Sequence, residues 1–277
     1  MEPLRLSTNE QRVRAASGLQ KVHRRVWAPA KELDAVTHAR AALLTLPQAV
    51  LADDWAAWAL CRGRIGAPRL PVRVAVPQDD WAVKRSGLFV RHALLLPEDI
   101  AMAGDLAATS GTRTAVDILC SERRLGRYRV IELVDALLNL KLTTQPDIES
   151  ALEQSHQRGV VRARMLLPET EPLAESGQET RLRLIIVDGG LPRPTAQWVV
   201  LDAEGRFIAR CDLGHDDVRI GYEYHGKDHE KQLAYDWDRA GAIDVRGNAR
   251  VLAFTAEHLR LPVAVVRRVR DARNRRL

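Results

Sequence analysis

The chain has 277 residues, above the single-domain mode, so it forms one or two domains large enough to bury a core without disulfide or metal. A hydrophobic share of 46% and a charged share of 28% exclude disordered and fibrous classes. A net charge of +6, with a pI near 9.5, favours polyanionic partners, of which nucleic acid is the commonest.

Arginine outweighs lysine among the cations. Guanidinium forks suit phosphate better than ammonium does, although GC-rich coding produces the same bias. Cys61, Cys120 and Cys211 are too few and too dispersed for a disulfide framework or zinc knuckle, which points to a reducing cytoplasm. The N-terminal run MEPLRLSTNEQRVR has no apolar core of the secretory type, and no apolar run approaches the ~18 residues of a membrane span.

In chain order, residues 8–30 read as a short basic helix ending near Gly18 and a strand-like stretch reaching Trp27. Arg12, Arg14, Arg24 and Arg25 make this unit a candidate DNA contact, a winged-helix remnant. A basic surface hairpin explains it equally well. AVTHARAALLTLPQAVLADDWAAWALCRG is apolar at helical spacing and broken at Pro47, with Asp53 or Asp54 as the expected cap of its second helix. PVRVAVP and GLFVRHALLL alternate as strands. TSGTRTAVDILCSE leads from a loop into a helix, and two long amphipathic helices follow, the second running from Thr144 to Leu167. This middle region is α+β without a nucleophile or metal cluster.

The polar, acidic stretch from Pro168 to Gln178 marks a boundary, giving domains 1–167 and 168–277. Beyond it the expected order is helix (ETRLRLIIVDGG), three strands turning at DAEG and HDD, helix, strand (ARVLAFT) and a basic final helix. A hairpin followed by a crossover helix implies a mixed sheet. Glu179 falls on the first helix, Asp212 on the second strand, Glu223 on the third and Asp238 on the next helix. Glu223 and His225 are two apart, so a pleated strand places both on one face. Converging carboxylates repel unless a hard cation neutralises them, and Mg²⁺ or Mn²⁺ touching a phosphate is the usual answer. Taken singly, each has a plainer role: Glu179 a helix-start acid, Asp212 a turn residue, Glu223 an edge ion pair, His225 and His229 exposed histidines, DWDR a helical charge pair.

The run QETRLRLIIVDGGLPRP…RCDLGHDDVRIGYEYHGKDH…DWDRAGAI…ARVLAFT resembles the Vsr-like branch of the PD-(D/E)xK nucleases, in the form common among endonuclease-domain proteins of actinobacteria. RTAVD, Arg113 to Asp117, after a small sheet, resembles the AbiEi-type antitoxin module. The first resemblance implies an αβββαβ domain with Asp212, Glu223 and Glu179 as metal ligands. It implies His225, Lys227 or His229 as the group orienting the attacking water, and Asp238 and Arg239 in support. His225 stands where the superfamily has lysine, and EYHG departs from the usual EYDG. The expected function is a cytoplasmic, Mg²⁺- or Mn²⁺-dependent DNA endonuclease in repair or defence, with a homodimer left open. The alternative is a non-catalytic, antitoxin-like DNA-binding regulator with a toxin partner and a vestigial nuclease fold. The tail RRVRDARNRRL lines a DNA channel or frays in solvent.

Overall fold

Trp55 organises the first half of the chain: fully buried, it donates its indole N–H to the Pro71 carbonyl and packs among Leu51, Val72, Val74 and Leu106. The computed structural model describes residues 4–5, 19–23, 26–29, 31, 33–79, 86–226 and 248–276. The chain divides into two compact units, Met1–Glu169 and Thr170–Leu277. Both mix helices with sheet, so the class is α+β.

In the first unit, β1 (Leu4–Arg5), β2 (Leu19–His23) and β3 (Val26–Pro29) form a three-stranded antiparallel sheet in the order β1-β3-β2. Arg12, Arg14, Arg24 and Arg25 lie outside the described residues. Helix α1 (Ala35–Thr45) starts at Asp34, whose carboxylate accepts the Thr37 N–H at 2.8 Å. After β4 (Val50–Leu51) comes α2 (Asp53–Leu60). The expected caps Asp53 and Asp54 stand inside its first turn, and the capping position is Ala52, which offers no side chain. Asp53 is drawn elsewhere, as shown below.

Strands β5 (Val72–Pro77), β6 (Leu88–Ala93), β7 (Ile100–Ala103) and β8 (Leu106–Thr109) complete a five-stranded sheet in the order β6-β5-β4-β8-β7. β4 pairs parallel with β8 and antiparallel with β5, so the sheet is mixed. Helices α3 (Gly111–Cys120), α4 (Glu122–Leu125), α5 (Arg127–Asn139), α6 (Gln145–Gln154) and α7 (Val160–Leu166) follow. The single helix expected from Thr144 to Leu167 is two, because Gly159 at φ 98° takes a left-handed conformation that a helix interior excludes.

The second unit opens with α8 (Gly177–Asp188), capped by the Ser176 hydroxyl on the Glu179 N–H at 3.2 Å. Strands β9 (Thr195–Leu201), β10 (Phe207–His215), β11 (Ile220–Tyr224) and β12 (Arg250–Phe254) form a sheet in the order β12-β11-β10-β9. β9, β10 and β11 run antiparallel in succession, and β11 pairs parallel with β12. The final helix also breaks in two, α9 (Ala256–Leu259) and α10 (Pro262–Asn274), with Pro262 at the first turn of the second, where its missing N–H costs nothing. α10 buries Val265, Val269 and Ala272 along one side.

Candidate functional site

Arg113 and Asp117 are one turn apart on α3, so both face the same side, and burial there requires charge compensation. Asp117, 1% exposed, accepts from the Arg91 guanidinium on β6 and from Arg113 Nε at 3.2 Å. Arg113 Nη1 reaches on to Asp99 at 2.9 Å and the Leu94 carbonyl at 3.0 Å. At the start of α2, Asp53 receives Arg124 Nη2 at 3.0 Å and stands 3.8 Å from both Arg91 and Arg73. Asp54 lies 3.5 Å from Arg73, whose guanidinium also covers the Phe89 ring at 4.4 Å. The carboxylates Asp53, Asp54, Asp99 and Asp117 meet the guanidiniums Arg73, Arg91, Arg113 and Arg124, four against four and formally neutral. Burial pushes the Asp53 carboxyl above its ordinary range, against the pull of Arg91. The network holds no nucleophile. Chemically it is a lock joining α2, β5, β6, α3 and α4.

The second site lies on the sheet of the other unit. Register sets Leu213 opposite Tyr222 and Gly214 opposite Gly221, which places Asp212 opposite Glu223. Cys211 pairs with Trp198 and Leu213 with Ala196, which places Gln197 opposite Asp212. Opposed residues share a face, so Gln197, Asp212 and Glu223 form one row across β9, β10 and β11. Glu179 comes down from α8: its Oε2 accepts from Gln197 Nε2 at 3.0 Å and from the Glu175 N–H at 3.0 Å. Burial, opposed by the Glu175 N–H and reinforced by the Asp212 charge, pushes Glu179 up to about 7. Asp212 Oδ2 accepts the Tyr224 N–H at 2.8 Å, and His225 Nε2 stands 3.4 Å from Glu223 Oε2.

Glu179, Asp212, Glu223 and His225 are therefore gathered at one sheet face. Lys227, His229, Asp238 and Arg239 lie outside the described residues. Among the described residues no group of three or more His, Cys, Asp or Glu side chains could hold a metal ion. Glu179 Oε2 and Asp212 Oδ2 are engaged by protein N–H donors, and within the described residues these acids do not form a group that fits a Mg²⁺ or Mn²⁺ ion.

Gln197 had no motif to announce it, since its role follows from strand register and a left-handed backbone. The arginines of the first network read in the sequence as ordinary strand and helix polarity. The tail arginines also take an unforeseen place. Arg268, Arg270 and Arg276 donate to the carbonyls of Ala253, Gly189 and Asn248, and Arg273 pairs with Asp217 at 2.7 Å. These four brace their own unit.

Residues 62–169 match the AbiEi antitoxin C-terminal domain, and the Arg113–Asp117 pair lies at the centre of that stretch. Two curated Mycobacterium tuberculosis proteins, from strains CDC 1551 and H37Rv, are each 37% identical to this chain over 118 residues. Both carry only the description of an uncharacterized protein, and the match spans 42% of this chain and 42% of each relative's own length. No solved structure matches the chain. No helix among the described residues is long and apolar enough to cross a membrane.

Proposed function

We propose that the chain is an antitoxin-like, DNA-binding regulator of the cytoplasm. Its first unit engages a toxin partner, its basic N-terminal segment contacts DNA, and its second unit serves as a nuclease-type scaffold. The observation carrying this reading is the match of residues 62–169 to the AbiEi antitoxin C-terminal domain. The engaged carboxylates of the second unit agree with it, because a scaffold needs its acids satisfied by the protein itself. A homodimer would offer two basic segments to a two-fold symmetric operator.

The test is genetic and physical. The product of the neighbouring gene is expressed alone and together with this chain, and growth is followed. Rescue of growth, together with a gel shift of the chain's own upstream DNA in the presence of a chelator, supports the reading. Unchanged growth in both arms sinks it.

One observation favours a second reading, a metal-dependent DNA endonuclease: the three-strand row with Glu179 above it corresponds to the helix and three strands that open the αβββαβ order implied by the resemblance. Because the described acids do not form a metal-holding group by themselves, this reading requires a further ligand outside the described residues in addition to Asp212, Glu223 and Glu179, with His225, Lys227 or His229 orienting the water. Calorimetric titration of Mn²⁺ into the full chain separates the two. A site lost in Glu223→Gln favours the nuclease, and no heat of binding favours the scaffold.

A further inference from the structure

In the first unit, the β7–β8 hairpin turns through Gly104 and Asp105, with Ala103 opposite Leu106 and Ile100 opposite Thr109. β8 is paired on both sides, whereas β7 is the last strand of its sheet among the described residues. The Asp99 carbonyl accepts the Ser110 N–H at 2.7 Å, so the alternation of an antiparallel ladder turns the peptide groups of Ile100 and Met102 to the open edge. Edges of this kind are ordinarily blunted by charge or proline. This one carries neither: the strand reads Ile-Ala-Met-Ala, and Met102 is 61% exposed.

Beside that edge lies a cleft of about 380 Å³, walled by Leu60, Met102, Ala103, Leu140 and Leu142, with Arg62 and Arg64 on its lip. Among the described residues neither a carboxylate nor an aromatic ring lines it. Arg64 is engaged only by the neutral amide of Asn139, at 3.3 Å, and neither Arg62 nor Lys141, between Leu140 and Leu142, forms a salt bridge among the described residues. Arg62 and Lys141 also both adopt the left-handed backbone, at φ 48° and 56°. Left-handed backbone is disfavoured for residues with a Cβ, and such residues gather at binding sites.

We infer that the β7 edge and its cleft take an extended, acidic and apolar segment of a partner protein, added as a further strand of the sheet. The peptide groups of Ile100 and Met102 supply the ladder, the cleft takes an apolar side chain, and Arg62, Arg64 and Lys141 meet the carboxylates. A nucleic acid fits less well, because an apolar wall without a stacking ring gives a base nothing to lie on. Only the identification of the partner as a toxin rests on the antitoxin-like reading. The surface does not.

The experiment measures fluorescence anisotropy of a labelled decapeptide alternating glutamate and leucine, titrated with the full chain. The expected result is saturable binding, weakened about tenfold or more by Met102→Asp and by Arg62→Glu combined with Arg64→Glu. A lysine-leucine peptide is expected to bind the wild type weakly and the double charge reversal better. Arg158→Glu, at an exposed arginine elsewhere in the same unit, is expected to leave binding unchanged. Binding that is indifferent to the cleft variants overturns the inference. Absence of peptide binding together with capture of a ten-thymidine oligonucleotide at the same residues overturns it in favour of nucleic acid. A failed growth rescue with intact peptide binding removes the toxin and leaves the surface standing.

Discussion

Gln197 donates its side-chain amide to the Glu179 carboxylate at 3.0 Å from a backbone held at φ 51°, a left-handed conformation in the middle of a strand. A non-glycine residue there costs about 1–2 kcal/mol, so the surrounding hydrogen bonds and packing have to over-determine it. Gln197→Ala deletes the amide and keeps the strain, and is expected to lower stability by about 1–3 kcal/mol. Gln197→Gly deletes the same amide but releases the backbone, so it is expected to lose about 1 kcal/mol less. Urea unfolding of both variants checks the order. Equal losses would remove the backbone from the account.

The same contact predicts a pH dependence. Glu179 holds its proton up to about 7 in the folded protein, against an ordinary value of 4.5. Between those values the folded state binds one proton more than the unfolded state, so its contribution to stability falls as pH rises. The slope is about 1.4 kcal/mol per pH unit at most. Glu179→Gln abolishes this component. The difference in urea midpoint between wild type and Glu179→Gln, measured at pH 5 and pH 7.5, should therefore move in the variant's favour at the higher pH. A difference independent of pH would mean that Glu179 ionises freely.

In the second site the strand reading puts Asp212 and Glu223 on neighbouring strands and Glu179 at a helix start, where the structure has them, while only the resemblance links the three. Gln197 was not legible, since neither its φ nor its register leaves a trace in composition. The β7–β8 hairpin also leaves little trace in the sequence. Its alanines carry little strand preference, and the Gly104–Asp105 pair was the one cue available. Asp53 read as a helix cap because the pattern Asp-Asp before an apolar run usually is one. Only the fold brings Arg91 and Arg124 to it.

That network gives the third prediction. Asp117 is the fully buried anion shared by Arg91 and Arg113, and its removal takes the nearest counter-charge from Arg91, which keeps only the longer 3.8 Å approach to Asp53, and leaves Arg113 to Asp99 alone. Breaking a buried pair from one side costs about 3–5 kcal/mol, so Asp117→Ala is expected to destabilise the first unit by that order. The comparison is Arg40→Ala, which breaks the exposed pair with Asp105 and is expected to cost under about 1 kcal/mol. Chemical denaturation followed by tryptophan fluorescence separates them, since Trp55 reports on this unit. Similar costs would mean that the network is open to water.

The last prediction concerns how tightly β9 and β10 are held together under the carboxylate row. A Cβ added at Gly214 would stand 2.4 Å from the Trp198 ring, which is buried and donates its indole N–H to Asp216 at 3.2 Å. The ring cannot withdraw without losing that bond and its packing on Cys211, Val200 and Ala209. Gly214→Ala is therefore an overpacking substitution, with an expected loss of about 1–3 kcal/mol. Gly205→Ala serves as the control: its φ of 77° also favours glycine, but no atom lies within 4 Å of the added carbon, so only backbone strain is felt. If crowding by Trp198 fixes the spacing of the two strands, Gly214→Ala also disturbs the Gln197–Asp212 juxtaposition two positions away. The stability difference between wild type and Glu179→Gln should then lose its pH dependence in the Gly214→Ala background. Retention of the full dependence would show that the row is positioned independently of the Trp198 contact.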